Sequence, residues 1–209
     1  MHVMALKACW QGDPAGTAGG AVCNSFTLAL ALGAALAANV DVINLSLVGP
    51  ADPLLTALTR KAIEQGTIVV GAVPPNGRTD GFPADVPGVI AVDMAEQDHP
   101  AKGALLAPGR DVLTLTPAGH YDFASGSSIA TANVAGIVAL MRARQPRMNA
   151  GSAASLLTQS MHVLGPPGAS RVESINACMA MSALLMRGDC PPGGPAWAAA
   201  TALSTARDR

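Results

Sequence analysis

Apolar stretches of strand length alternate with helical segments along most of this chain, which is the pattern of a parallel sheet covered by helices on both faces. His2 to Cys9 is expected to be the first strand. A glycine-rich loop from Gly12 to Gly20 leads to a helix over about Ser25 to Ala38, and then to a strand over Val42 to Leu47. Asp52-Pro53 supplies a capping carboxylate and a first-turn proline, and Gly66 stops the amphipathic segment Leu54 to Gln65. Further strands are expected over Thr67 to Val73, Val89 to Val92 and Val112 to Leu115. A helix opening near Ser128 should run to about Arg144, before Pro146. Asn149 or Ser152 can cap a helix through Leu156 and Met161, and Ser174 another through Ala177, Met181 and Leu185. Residues 191–209, with Pro-Pro, Gly-Gly and an Ala/Thr/Ser-rich run, read as a poorly anchored tail with helical character around Trp197 to Leu203. The expected organisation is one α/β domain over residues 1–190, three layers deep, followed by that tail.

Composition narrows the partners. A chain of 209 residues suits one domain with a sizeable core. Its formal charge of −1, without any Lys/Arg cluster, gives no electrostatic footprint for nucleic acid or anionic lipid. No apolar run reaches the roughly 18 to 20 residues of a membrane span, so a soluble protein is expected. Met1 to Lys7 reads as a strand rather than a signal peptide. The four cysteines fall into two local pairs, Cys9 with Cys23 and Cys178 with Cys190. Either they are disulfides closing short loops in an oxidising compartment, periplasmic or secreted, or they are free buried thiols. Neither pair has the spacing of a zinc site, and no metal or cofactor is expected.

Chemistry enters at Gly126-Ser127-Ser128-Ile129-Ala130-Thr131-Ala132-Asn133-Val134-Ala135-Gly136. After small turn residues the chain continues through Val134, Ile137, Val138, Leu140 and Met141 with almost no polar face, as a core helix does. A serine in the first turn of such a helix sits where unpaired N–H groups and the positive end of the helix dipole can stabilise an oxyanion. That placement suits acyl transfer with Ser128 as nucleophile. The competing reading makes the serine an N-cap and nothing more.

This segment resembles the Gly-Thr-Ser-Met-Ala-x-Pro-His-Val-Ala-Gly signature around the nucleophile of the subtilisin-like serine proteases, the subtilases. Ser127 stands for Thr, Ile129 for Met, Ala132 for Pro and Asn133 for His, while the glycines and Ser128 stay in register. Asp41-Val42-Ile43-Asn44-Leu45-Ser46-Leu47 is similar to the family's Val-Ile-Asn-Met-Ser-Leu strand. Phe82-Pro83-Ala84 and Pro87-Gly88-Val89-Ile90-Ala91-Val92 are similar to its Tyr-Pro-Ala and Val-Ile-Ala-Val block, and Ala107-Pro108-Gly109 adds a fourth match. The resemblance implies an α/β subtilisin-like fold with a mostly parallel sheet, and hydrolysis of peptide bonds in a peptide or protein substrate.

The same resemblance exposes what is missing. A serine hydroxyl needs a base within hydrogen-bond reach and a group orienting that base. In subtilases the triad Asp and His lie upstream of the strand that His2 to Cys9 resembles, and neither motif occurs here. His2, His99, His120 and His162 all lack the family's His-Gly-Thr setting, and His120 with Asp122 is the one substitute pair near Ser128 in sequence. The family's Asp strand lies between the strands resembling His2 to Cys9 and Val42 to Leu47. The first strand is therefore expected either to close up against the second or to leave a gap with unpaired edges.

The family's oxyanion asparagine follows an Ala-Ala-Gly strand end. Here the strand end reads Gly71-Ala72-Val73-Pro74-Pro75-Asn76-Gly77, so Asn76 fills the position with one extra residue and Pro75 fills it without a gap. Asn76 is equally a residue type of tight turns. The peptide-binding segment corresponds to Ser46-Leu47-Val48-Gly49, where Val48 replaces a glycine. Bulk at Val48, Val73 and Pro74 implies a pocket either restricted to small side chains or vestigial.

The expectation is an incomplete serine endopeptidase domain, roughly its C-terminal two thirds, with Ser128 and Asn76 catalytic and Ser46 to Gly49 binding substrate. The missing Asp and His would come from an upstream segment or a separate chain. A noncatalytic scaffold binding peptides or partners along Ser46 to Gly49 is the rival. A small-molecule-binding doubly wound domain, which needs a glycine-rich phosphate loop between a strand and a helix, is disfavoured, because Gly16 to Gly20 lies too far from a helix start.

Overall fold

Residue by residue, the strand Ile68–Ala72 is buried on both faces, which only a central strand between two helical layers requires. Ile68 and Val70 join one apolar cluster and Val69 the other, as the alternation of side chains along a strand demands. The computed structural model describes residues 2–11, 21–116, 119–164 and 172–186, together with Cys190. In chain order the elements are β1 Cys9–Gln11, β2 Ala21–Cys23, α1 Ser25–Ala37, β3 Val42–Leu45, α2 Pro53–Glu64, β4 Ile68–Ala72, β5 Ile90–Met94 and β6 Leu105–Ala107. Then follow β7 Val112–Thr116, β8 His120–Ala124, α3 Ser127–Arg144, α4 Ala150–Gln159, β9 His162–Leu164, β10 Val172–Ser174 and α5 Ala177–Leu185.

Strands β3-β4-β5-β6 form a parallel sheet in that order. On one face α1 and α2 bury Leu28, Leu32, Leu55 and Ala62 with Ile43, Leu45 and Val69. On the other, Val134, Val138 and Met141 of α3 pack with Ile68, Val70, Ile90 and Val92, joined by Leu157 of α4 and Ala180 of α5. This is the three-layer α/β architecture expected. The boundaries of α2 follow from its ends: Asp52 Oδ1 accepts from Leu54 and Leu55 N at 2.9 and 3.0 Å, Pro53 opens the first turn, and Gly66 takes φ 89° past the end.

Several local expectations fail. His2 to Ala8 is not a strand; Val3 and Met4 are exposed and only Ala8 enters the core, while Cys9 begins an antiparallel hairpin with β2. A strand requires a neighbour to complete its ladder, and among the described residues β3 pairs only with β4, so its other edge stays open. With His2 to Ala8 forming no strand, neither expected outcome, a closed-up pair or a gap between two strand edges, is the one observed; among the described residues it is β3 that keeps an open edge. His120 lies in β8 rather than in a turn, paired with Thr116. Ser174 ends β10, fully buried, and the cap of α5 is Asn176, whose Oδ1 accepts from Met179 N at 3.0 Å. Between the two candidates for α4, Asn149 is the cap.

Both cysteine pairs lie at disulfide distance, with Cα–Cα separations of 4.3 Å for Cys9–Cys23 and 5.8 Å for Cys178–Cys190. The first pair are direct partners across the β1–β2 ladder. The Gly12 to Gly20 loop and the 191–209 tail lie outside the described residues, and among those described no helix is long and apolar enough to cross a membrane.

Candidate active site at the start of the third long helix

The C-terminal ends of β3 and β4 both run into the first turn of α3. Ser46, directly after β3, donates its hydroxyl to the Ser128 carbonyl at 2.7 Å, with Asn44 Oδ1 as an alternative acceptor at 3.2 Å. Ser127 donates to the carbonyl of Val73, directly after β4, at 2.6 Å. Parallel strands bring their ends to one edge of the sheet, so residues far apart in sequence meet there.

Gly126 is the N-cap of α3, with φ 147° in the region that favours glycine, and no side chain caps the helix. Its carbonyl accepts from Ile129 and Ala130 N at 3.0 and 3.2 Å. Among the described residues the N–H groups of Ser127 and Ser128 take no protein acceptor. Two donors at the positive end of an 18-residue helix, beside the Ser128 side chain, are what a developing oxyanion needs. The capping reading of Ser128 fails, because that residue lies inside the helix rather than before it.

Two further residues hold this turn. Gly126 N donates to Gly109 O at 2.8 Å, and Asn133 Nδ2 donates to Pro108 O at 2.9 Å. A Cβ on Gly109 would lie 2.8 Å from the Gly126 carbonyl oxygen and 3.2 Å from Ala130 Cβ, so only glycine fits between them. The Ala-Pro-Gly motif marked the segment, but neither this contact nor the anchoring roles of Ser127, Asn133 and Ser46 were visible from spacing.

Asn76 lies in the loop after β4. Its Oδ1 accepts from Arg78 N at 3.1 Å, and Gly77 N donates to Pro74 O at 2.9 Å, which makes residues 74–77 a tight turn. No hydrogen bond joins Asn76 to Ser128. Pro75 has no N–H, and its carbonyl accepts from Gln97 Nε2 at 3.0 Å. Beyond Ser46 and Leu47, Val48 is exposed, and Gly49 forms an antiparallel bridge with Phe82, its N–H donating to Phe82 O at 2.9 Å.

Among the described residues no histidine or carboxylate hydrogen-bonds Ser128. His120 sits at the end of β8 remote from the turn into α3, and Asp122 Oδ1 accepts from Phe123 N at 2.8 Å. The substitute pair is therefore not assembled.

A family model described as the Subtilase family matches residues 17–174. The chain is 35% identical over 126 residues to a subtilisin of Bacillus pumilus, covering 54% of this chain and 46% of that protein. It is 37% identical over 123 residues to an intracellular serine protease of Paenibacillus polymyxa, covering 52% and 38%. The chain thus spans less than half the length of these curated relatives. Among solved structures, the patellamide maturation protease PatA aligns with a TM-score of 0.63 at 26% identity, over 79% of this chain and 71% of that one. The family match takes in the open-edged sheet, the Ser46 segment and the whole of α3, and the chain belongs to the subtilase family.

Proposed function

We propose that this chain is the nucleophile-bearing part of a serine endopeptidase, with Ser128 attacking the scissile carbonyl and its own N–H stabilising the oxyanion. The observation that carries this reading is the uncapped first turn of α3, with two free N–H groups beside the Ser128 hydroxyl. Asn76 is the second oxyanion donor: with its oxygen engaged by Arg78 N, its amide nitrogen is the group left to donate. Ser46 to Gly49 forms the peptide-binding edge, and the exposed Val48 favours small substrate side chains. The base and its orienting carboxylate come from a segment carrying a His and an Asp, supplied upstream or by another chain. Residues 1–190 act as the domain and residues 191–209 as a tail. The two cysteine pairs favour work in an oxidising compartment, periplasmic or secreted.

Pro74 and Pro75, which remove donors from the loop carrying Asn76, favour a second reading, a noncatalytic scaffold that binds peptides along Ser46 to Gly49. Peptide turnover by the chain combined with an Asp- and His-bearing segment separates the two. Cleavage lost in Ser128→Ala supports the protease, and saturable peptide binding without cleavage supports the scaffold.

A further inference from the structure

The β7–β8 hairpin is built with its apolar side outward. Its register pairs Leu113 with Phe123 and Leu115 with Tyr121, so these four side chains share one face. They are 57%, 65%, 67% and 70% exposed for Leu113, Phe123, Leu115 and Tyr121. The opposite face carries Val112, Thr114, Thr116, His120, Asp122 and Ala124. Its members Val112, Thr114, Thr116 and Ala124 are half-buried, so this more polar side is turned toward the rest of the chain. A one-residue slip would reverse the two faces, and a two-stranded ribbon with a solvated apolar side is marginal in water.

We propose that this face is a self-association surface, on which the hairpin of a second copy stacks to form a two-layer β interface about a two-fold axis. Three observations select a second copy as occupant. The face carries no charged side chain, so it offers nothing to discriminate a charged partner. Each cross-strand pair sets an aromatic ring beside an aliphatic side chain, and a two-fold rotation lays the rings of one copy over the leucines of the other, as an isologous interface requires. The area also suffices. The four side chains expose on the order of 500 Å², and an isologous pair doubles this to about 1,000 Å², the lower limit of a specific interface. Stacked sheets lie about 10 Å apart, which leaves room for these side chains to interdigitate. The interface is independent of the catalytic reading, because it uses neither Ser128 nor the Ser46 segment.

The test is sedimentation velocity on the full chain from about 1 to 100 μM, with and without the double substitution Leu115→Thr and Phe123→Thr, which keeps strand propensity while removing the apolar side chains. The expected result is a concentration-dependent dimer that the substitutions convert to monomer, with circular dichroism unchanged. A monomer throughout that range, or a dimer indifferent to the substitutions, overturns the proposal. Tyr121→Cys provides a second measurement should the double variant misfold. A bis-maleimide spanning roughly 10 to 15 Å should link two chains through residue 121, because the stacked sheets lie about 10 Å apart, and failure to cross-link while the protein sediments as a dimer equally contradicts the two-fold stack.

Discussion

The hydroxyl of Ser46 donates to the carbonyl of Ser128 at 2.7 Å across a sequence separation of 82 residues, so the start of the proposed peptide-binding segment and the candidate nucleophile are fastened to each other. Ser127 fastens the same turn to the end of β4 through the Val73 carbonyl, on a fully buried residue. Removing the Ser127 hydroxyl leaves that carbonyl without this donor, whereas the acceptor of Ser46 is more exposed. Ser127→Ala should therefore cost about 1 to 2 kcal/mol and Ser46→Ala about 0.5 to 1 kcal/mol, read from urea midpoints. Equal and negligible losses would show that the turn is held by helix packing alone.

Gly109 tests the same turn from the other side. A methyl group there meets backbone oxygen and Ala130 at once, and neither is the free end of a flexible side chain. Gly109→Ala should destabilise by roughly 1 to 3 kcal/mol, the range for overpacking, and should displace the α3 N-terminus. A variant with unchanged thermal midpoint would mean that the Gly109–Gly126 approach is slack.

How much of this was legible in sequence depended on range. Helix α2 was readable because its signals are local: a capping Asp52, Pro53 and a terminal Gly66. The start of α3 was readable because the motif around it is contiguous. His2 to Ala8 misled because apolar spacing says nothing about whether a partner strand exists. Strands β6, β9 and β10 have 3 residues each, too few for a period to appear. In β8, Tyr121 and Phe123 do alternate, but outward, so the pattern carried no information about burial. The Ser46–Ser128 and Ser127–Val73 bonds join distant segments, and no spacing rule reports them.

Asp52 joins the two surface helices, accepting from the Ser25 hydroxyl as well as from Leu54 and Leu55 N. The Ser25 hydrogen bond, followed by that from Leu55 N, holds its carboxyl below the ordinary value of 3.8. A carboxyl whose pKa falls on folding stabilises the fold above its unfolded value and loses that contribution as pH drops through the folded one. Asp52→Ala should lower the thermal midpoint near neutral pH, and the difference from the parent should shrink as pH falls below about 4. A difference that persists undiminished at pH 2 would assign the effect to something other than the carboxylate.

The disulfides close loops of sequence separation 14 and 12. On chain-entropy grounds each contributes about 3 kcal/mol. Cys9→Ser/Cys23→Ser and Cys178→Ser/Cys190→Ser should each reproduce part of the loss expected on reduction. Insensitivity of the unfolding midpoint to dithiothreitol would show that the thiols are not paired in solution.

We propose Ser128 as a nucleophile whose base is supplied by an Asp- and His-bearing segment. Labelling by a fluorophosphonate probe, located by mass spectrometry, tests it most directly. The 209-residue chain by itself should label slowly and turn over no peptide. With an Asp- and His-bearing segment supplied, labelling should concentrate on Ser128 and accelerate by roughly 10² to 10⁴-fold, the range of general-base assistance. Peptide turnover by the unaided chain that disappears in Ser128→Ala would contradict the account by revealing an internal base, and so would a completed protein that leaves Ser128 unlabelled.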